Sequence, residues 1–177
     1  VGPTFEAIDP VRGITNKSSG KMGFAIARAA REAGAEVTLV AGPVALPTPR
    51  GVRRVDVASA QDMLLAVEAA VPQATVFVAT AAVADWRPAN AATQKIKKDG
   101  SGQVPALAFE ENPDILARVA ASERARSGAL FCVGFAAESH DLAHHAKVKR
   151  ERKGVPLLVG NIGPATFGQD ENALLLV

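Results

Sequence analysis

The sequence predicts an α/β protein with a doubly wound, mostly parallel sheet and a projecting β-hairpin. Short apolar runs rich in valine alternate with longer segments that have helical spacing. The run from Thr75 to Ala79 is continuously apolar, which is typical of a strand buried on both faces of a parallel sheet. A long polar segment follows this strand and interrupts the alternation.

The first half of the chain has the order strand, helix, strand, strand, helix, strand, if Val1 ends a strand that begins earlier. Gly34 ends the first helix, and Ser59 caps the second. The predicted helices are 22–33 and 60–70, and the predicted strands are 37–40, 52–57 and 75–79. This order is that of a doubly wound sheet.

The polar segment, about residues 86–109, predicts a two-stranded flap. Its strands are placed at 95–98 and 104–109, with a turn at 99–102 that contains two glycines. A long insertion after a central strand is usually functional or contacts a partner.

The second half continues the alternation. A helix begins after residues 112–114, a strand covers 130–134, Asp141 opens a helix that ends at Lys153, and a strand covers 157–159. Loops that follow strands therefore begin near Ala79, Phe135 and Asn161. Ligands of open α/β sheets bind outside the carboxyl ends of the strands, so we expect these loops to form one cleft.

Composition limits the class of protein. The chain has 177 residues, 48% of them hydrophobic, which suits one domain with a sizeable core. A net charge of +2 argues against a general nucleic-acid binder. Cys132 is a lone cysteine in an apolar run, which predicts a buried side chain and a reducing compartment. With no membrane-spanning run and no signal peptide, we expect a cytoplasmic protein without a membrane partner. Both ends look truncated.

Residues 12–23 predict an anion site. Ser18 and Ser19 are candidate N-caps of the following helix, and Gly20 allows a ligand to approach the backbone closely. Cationic side chains surround this helix start, whose free N–H groups and dipole stabilise an anion. We therefore predict that Ser18, Ser19 and Gly20 bind a substrate phosphate.

Three familiar classes of enzyme fit poorly. The loop lacks the G-x-G-x-x-G pattern of nicotinamide dehydrogenases, and no acidic residue ends the second strand. Met22 after Lys21 breaks the P-loop pattern. His140 and His144 are four residues apart, but no third ligand is evident, so solvated histidines are favoured over zinc.

Lysine spacing favours phosphate chemistry. Lys149 and Lys153 are four residues apart on one helix face, and Lys95 lies on the flap. Phosphoryl and nucleotidyl transfer depend on positioning and on neutralising oxyanions, which such lysines can do. A solvated lysine face is an equally good interpretation of the spacing alone.

A series of motifs decides between these interpretations. In chain order they are GPT with Glu6 (2–6), IDPVR (8–12), ITN with SSGKMG (14–23), AAVAD with Arg87 (81–87), KIKK (95–98), NPDI (112–115) and GFAAE (134–138). Over nearly the whole chain this series resembles the bacterial phosphopantothenate–cysteine ligases, the synthetase half of a bifunctional coenzyme A biosynthesis protein.

The resemblance implies a Rossmann-like, homodimeric enzyme in which the flap joins the protomers. It joins 4′-phosphopantothenate to L-cysteine with CTP and Mg²⁺, through an acyl-cytidylate, and releases pyrophosphate and CMP. FMN belongs to a decarboxylase domain that precedes the synthetase in the full-length protein. No metal ligand can be assigned from the sequence.

The resemblance also implies roles for single residues. Lys95 activates the carboxylate, Asn16 holds the acyl-cytidylate, and Arg12 lies in the phosphopantothenate pocket. The residues that it assigns to the nucleotide are Ala79, Thr80, Ala81, Asp85, Pro113, Asp114, Ile115, Leu116, Phe135, Lys149 and Lys153.

Two positions depart from the family pattern. Phe5 stands where arginine is frequent, and Gly13 stands where an aromatic residue is common. The main alternative is a module that binds a nucleotide or phosphate without catalysis and uses its flap only as an oligomer contact.

Overall fold

A parallel sheet with helices packed against it forms the centre of the protein. The computed structural model describes residues 1–98, 100, 102, 104–138, 140–162 and 171–177. The strands are β1 Phe5–Ala7, β2 Gly13–Thr15, β3 Thr38–Ala41, β4 Arg53–Asp56, β5 Val76–Ala79, β6 Trp86–Pro88, β7 Phe109–Glu111, β8 Phe131–Glu138, β9 Leu157–Ile162 and β10 Leu175–Leu176. The helices are α1 Lys21–Glu32, α2 Ala60–Ala70, α3 Ile115–Ala120, α4 Glu123–Arg126 and α5 Leu142–Lys153, with a 3₁₀ turn at Val71–Gln73.

The largest sheet has the order β10-β9-β8-β5. β5, β8 and β9 are parallel, with Ala79 opposite Gly134, and β10 is antiparallel at the edge. β3 and β4 form a separate parallel pair. Apart from β10, these pairings confirm the predicted parallel sheet.

The first residues of the chain connect these two sheets. The Val1 amino group donates to the Val40 carbonyl, and the Gly42 N–H donates to the Val1 carbonyl. On the other side, Pro3 forms a parallel bridge with Ala82. The opening segment therefore lies between β3 and the loop after β5.

The main hydrophobic cluster lies between the large sheet and helices α2, α3 and α5. Leu130, Cys132 and Leu158 are at its centre, each at most 2% exposed. The buried position of Cys132 confirms its interpretation as a core residue, and burial raises the pKa of its thiol. Thr75 and Val76 are exposed, Val76 to 55%, and residues 77–79 are only partly buried, so the expectation of a strand buried on both faces is wrong for β5.

Two predicted helix starts are confirmed, and one is corrected. Ser59 and Asp62 form a reciprocal capping box at α2, and Asp114 caps α3 by accepting from the Ala117 N–H at 3.0 Å. The N-cap of α1 is Gly20, not Ser18 or Ser19. Gly20 has φ 75°, a conformation that favours glycine, and has no side chain with which to cap the helix.

The flap differs from its predicted strands. The antiparallel pair is β6 with β7, in which Trp86 pairs with Glu111 and Pro88 with Phe109. Residues 95–98 and 104–108 contain no strand, because neither run finds a sheet partner; part of the predicted turn at 99–102 lies outside the described residues. The base of the flap is therefore the hairpin, and the lysine run lies in irregular backbone.

Further elements were absent from the sequence prediction. β1 and β2 form an antiparallel hairpin within what the composition predicts to be loop. β8 continues through residues 135–138, which the sequence predicts to follow the strand, because β9 pairs with it as far as Glu138. Most of the predicted loop after Asn161 lies outside the described residues. No helix in the described part of the chain is long and apolar enough to cross a bilayer.

Candidate functional site

The loop after β5 is held from three sides. The Asn16 side-chain amide donates to the Ala82 carbonyl at 2.9 Å, and the Ala84 N–H donates to the Thr4 hydroxyl at 2.9 Å. The Asn112 amide donates to the Ala84 carbonyl, also at 2.9 Å. Thr4 is fully buried, so its hydrogen bond to the loop lies in the protein interior. Asn16 is exposed and lies at the surface.

The start of α3 lies against the middle of β8. A Cβ added to Gly134 would lie 2.8 Å from Leu116 Cδ2, so the Leu116 side chain would have to move to accommodate one. Gly134 is the sheet neighbour of Ala79. This close packing brings the N-terminal turn of α3 to the level at which β5 ends.

The end of α5 returns to the same level. β9 begins at Leu157, opposite Val133, and Lys153 forms an ion pair with Asp114, the N-cap of α3. Burial opposes the ionisation of Asp114, but hydrogen bonds from Lys153 and the Ala117 N–H outweigh it and lower the pKa of this carboxyl. Lys149, one turn earlier, lies 3.6 Å from a carboxylate oxygen of Glu138.

A second group of side chains surrounds the segment that carries Lys95. The buried Asp9 carboxylate binds Arg12 in an ion pair and accepts the Ile96 N–H at 3.1 Å. An Arg12 Nη2 hydrogen bond of 2.8 Å to the Ile96 carbonyl completes the contact. Lys95 itself is exposed.

At the predicted phosphate site, the backbone of Gly20 lies close to the backbone of the opening segment of the chain. Ser18 and Ser19 are partly buried, and their hydroxyls accept from the Gly20 and Lys21 N–H groups at 3.4 Å. The Gly20 backbone lies against Gly2, whose Cα would be 3.5 Å from a Cβ added at Gly20. The start of α1 is therefore packed against the opening segment of the chain.

This arrangement can be compared with known proteins. The family model described as "DNA/pantothenate metabolism flavoprotein C-terminal domain" matches residues 1–177. The chain belongs to this family.

Relatives and solved structures agree with that assignment. The Coenzyme A biosynthesis bifunctional protein CoaBC of Vibrio cholerae is 49% identical over 178 residues, and that of Escherichia coli K12 is 50% identical over 179. Each alignment covers 99% of this chain, which spans less than half of those relatives, 44% and 43%. The crystal structure of the C-terminal domain of CoaBC is 37% identical, with a TM-score of 0.78 over 99% of this chain and 82% of that one.

A more distant structure shows the fold alone. A Cab2 variant in complex with phosphopantothenate-cysteine has a TM-score of 0.79 and 16% identity, over 99% of this chain and 74% of that one. Its fold is that of this flavoprotein C-terminal domain, with a Rossmann-like parallel sheet, as the sequence predicts.

In this family member, the predicted site residues fall into two groups. The first lies at the ends of β5, α3 and α5 and contains Ala79, Thr80, Ala81, Pro113, Asp114, Ile115, Leu116 and Lys153, with Phe135 next to Gly134. The second contains Arg12 and Lys95, because Arg12 binds Ile96, the residue next to Lys95. Asn16 is bound to the loop after β5, where it donates to the Ala82 carbonyl beside the first group. Asp85 is exposed in the connecting loop, and Lys149 lies one helical turn from Lys153.

Sequence reasoning missed several residues that shape this site. Asn112 and Arg87 are in the quoted motifs, but no role follows from spacing alone. In the structure Arg87 donates to the Asn112 side-chain oxygen at 3.0 Å and pairs with Glu110 at 3.0 Å. The Asn112 N–H also donates to the Asp85 carbonyl at 2.8 Å. Together these contacts hold the loop that contains Asp85 against β6 and β7.

The two departures from the family pattern are in contact with each other. A Cβ added to Gly13 would lie 2.3 Å from Phe5 Cζ and 2.7 Å from the Glu6 carbonyl oxygen. The Phe5 ring therefore covers Gly13 across the β1–β2 hairpin. An aromatic side chain at position 13 would meet the Phe5 ring and the Glu6 carbonyl oxygen, so positions 5 and 13 are sterically coupled.

Proposed function

We propose that this domain is a CTP-dependent phosphopantothenate–cysteine ligase. The observation that carries the proposal is the hydrogen bond from Asn16 to Ala82. It brings the amide assigned to the acyl intermediate directly beside residues 79–81, which the resemblance assigns to the nucleotide. One cleft can then hold both halves of a mixed anhydride.

The proposed reaction has two balanced steps. A carboxylate oxygen of 4′-phosphopantothenate attacks the α-phosphorus of CTP, which breaks the bond to the β-phosphate and releases pyrophosphate. The amino group of cysteine then attacks the acyl carbon of this acyl-cytidylate. The carbon–oxygen bond breaks, CMP leaves, and the ammonium that forms loses one proton to give the amide.

The site residues suit these steps. Lys95 would place its positive charge at the α-phosphate, where negative charge grows as the carboxylate attacks. Asn16 can both donate and accept hydrogen bonds without adding a charge to the intermediate. Lys149 and Lys153 would bind the triphosphate, and the start of α1 at Gly20 would bind the substrate phosphate.

A magnesium ion fits this site if it enters with the nucleotide. The described residues contain no group of three or more histidine, cysteine or acidic side chains that could hold a metal. Protein-bound Mg²⁺ usually keeps several waters and binds through one or two carboxylates and the substrate phosphates, so such a group is unnecessary. The exposed Asp85 is the carboxylate in the loop after β5 that could contribute, and the ion would neutralise phosphate charge.

The assembly is part of the same proposal. Trp86 and Phe109, 59% and 51% exposed on the β6–β7 hairpin, line one surface hollow with Ile14, and Val104 is 88% exposed between these strands. A second copy would cover such exposed apolar side chains. The proposed homodimer uses this hairpin. FMN would belong to a decarboxylase domain upstream in a full-length cytoplasmic protein.

Turnover tests the proposal directly. Incubation with CTP, Mg²⁺, 4′-phosphopantothenate and L-cysteine should yield 4′-phosphopantothenoylcysteine, CMP and pyrophosphate in equal amounts. Omitting any substrate should abolish the product, and ATP should replace CTP poorly. Nucleotide binding without product under these conditions would instead identify a non-catalytic binding module.

A further inference from the structure

Asp9 lies where the β1–β2 turn contacts the segment that contains Lys95. The proposed reaction uses one residue from each segment, Arg12 and Lys95. Asp9 is in the turn between β1 and β2, and its side chain is fully buried. The other segment, residues 92–98, is more than eighty positions later in the chain and contains Lys95. A buried carboxylate requires hydrogen-bond partners, and those of Asp9 come from both segments.

One carboxylate oxygen organises the turn itself. Asp9 Oδ1 accepts the backbone N–H groups of Val11 and Arg12, each at 2.9 Å. The N–H groups of Ile8 and Asp9 both donate to the Arg12 carbonyl, at 2.8 and 3.2 Å. The turn is therefore held closed by its own backbone and by one half of the Asp9 side chain.

The other oxygen reaches the second segment. Asp9 Oδ2 accepts the Ile96 N–H at 3.1 Å and also binds the Arg12 guanidinium, with Nε at 3.0 Å. Arg12 Nη2 donates to the Ile96 carbonyl at 2.8 Å. Both backbone polar groups of Ile96, the residue next to Lys95, are thus bound by the Asp9–Arg12 pair.

A further backbone contact supports this junction. The Ala92 N–H donates to the Ile8 carbonyl at 2.9 Å, three residues before Lys95. Arg12 first, and then the backbone N–H groups, hold the pKa of the Asp9 carboxyl well below its usual range, against the opposing effect of burial. The carboxylate is therefore ionised, and its contacts intact, at any neutral pH.

We propose that Asp9 is a positioning residue that holds the Lys95 segment over the cleft and orients Arg12 toward it. This inference rests on the proposed function for its catalytic part, because Lys95 is useful there only when its ammonium group reaches the α-phosphate. A misplacement of about 1 Å far from the reacting atoms can lower a rate roughly 10²-fold.

The test uses Asp9→Asn, which keeps the size of the side chain. An amide has one acceptor oxygen where the carboxylate has two, so either the turn or the Ile96 N–H loses its acceptor. The matched control is Asp56→Asn, which removes a carboxylate paired with Arg54 at 2.6 Å on β4, outside both segments.

The first readout is hydrogen–deuterium exchange, which does not depend on activity. Exchange in Asp9→Asn should rise at residues 92–98 and in the 8–12 turn, and tryptic cleavage after Lys95 should become faster. Exchange in β5, β8 and β9 should match that of the wild type and of the control. Unchanged exchange at Ile96, or exchange raised throughout the sheet, would overturn the proposal.

The second readout is steady-state pyrophosphate release from CTP and phosphopantothenate with cysteine present, so that each acyl-cytidylate is discharged and the enzyme turns over. We expect kcat to fall by roughly ten- to a hundredfold in Asp9→Asn while the KM for CTP changes less, because Lys149 and Lys153 are untouched. Raised exchange with an unchanged kcat would overturn the positioning role. If the wild type releases no pyrophosphate, the proposed function fails, whereas the exchange data still decide whether Asp9 holds the segment.

Discussion

At the residue scale, the proposed reaction gives Lys95 and Asn16 separate tasks. Lys95 is exposed on an irregular segment, and Asn16 is bound to the loop that ends β5. In the proposed reaction, Lys95 acts in the activation step and Asn16 in the amide-forming step. Substitutions at the two positions should therefore stop the reaction at different points.

For Lys95→Gln we expect loss of acyl-cytidylate formation without loss of the fold. Removing one stabilising donor from an oxyanion typically lowers a rate roughly 10²- to 10³-fold, and an exposed side chain contributes little to stability. The measurement is pyrophosphate release without cysteine, with thermal unfolding as the control. Normal release by the variant would refute the role of Lys95.

For Asn16→Asp we expect activation to persist and amide formation to stall. A carboxylate at this position repels the phosphorylated intermediate, whereas the neutral amide does not. Mass spectrometry should detect accumulated acyl-cytidylate in the presence of cysteine. If the variant forms product at the wild-type rate, or accumulates no intermediate, this assignment is wrong.

How well single residues could be predicted from the sequence depended on the kind of contact they make. Arg12, Asn16 and Lys95 could be singled out because their motifs resemble those of a known family, which implies a role for each side chain. Asp9 was quoted in the same series without a role, because its partner Ile96 contributes backbone atoms. Backbone partners leave no signal in side-chain identity.

At the scale of elements, the β1–β2 hairpin tests whether Phe5 and Gly13 compensate for each other. Gly13→Phe alone should destabilise the protein by about 1–3 kcal/mol, because the new side chain overlaps the Phe5 ring. The double variant Phe5→Arg with Gly13→Phe should recover part of that loss. Urea unfolding provides the free energies of both single variants and of the double variant. A double variant destabilised by the sum of the two single effects would show that the two positions are independent.

The elements predicted with success share a strong local signal. The capping box of α2 and the apolar runs of β3, β5 and β9 are readable from adjacent residues. The flap strands were misplaced because 95–98 and 104–109 look extended, but the observed pairing joins residues 86–88 and 109–111. That pairing depends on partners more than twenty positions apart, which a local pattern cannot select.

At the scale of the whole molecule, acid should destabilise the fold. The pKa of Asp62 is lowered from its usual 3.8 by hydrogen bonds from the backbone N–H and hydroxyl of Ser59. A lowered folded-state pKa stabilises the protein fully above the unfolded value, and that stabilisation is lost as the pH falls through the folded value. The pKa values of Asp9 and Asp114 are also lowered, so protonation of these carboxyls in acid destabilises the fold as well.

The measurement is the free energy of urea unfolding between about pH 2 and pH 6 in the wild type and in Asp62→Asn. The wild type should lose stability as the pH falls below 3.8, and the variant should lose less over the same interval. A variant with the same acid dependence as the wild type would show that Asp62 does not contribute.

The parallel sheet was predictable because apolar runs and helices alternate regularly along the chain, and the carboxyl-end rule predicts a cleft at the ends of its strands. The connection that residues 1–4 make between the two sheets was not predictable, because it depends on backbone hydrogen bonds with Val40, Gly42 and Ala82. The central claim concerns this cleft: it converts a carboxylic acid into a mixed anhydride with a nucleotide.

Isotope transfer tests that claim most directly. 4′-Phosphopantothenate labelled with ¹⁸O only in its carboxylate is incubated with the domain, CTP, Mg²⁺ and cysteine, and the products are weighed by mass spectrometry. Attack at the α-phosphorus predicts one ¹⁸O in CMP and none in pyrophosphate. Label in inorganic phosphate or pyrophosphate, or unlabelled CMP alongside the product, would contradict an acyl-cytidylate.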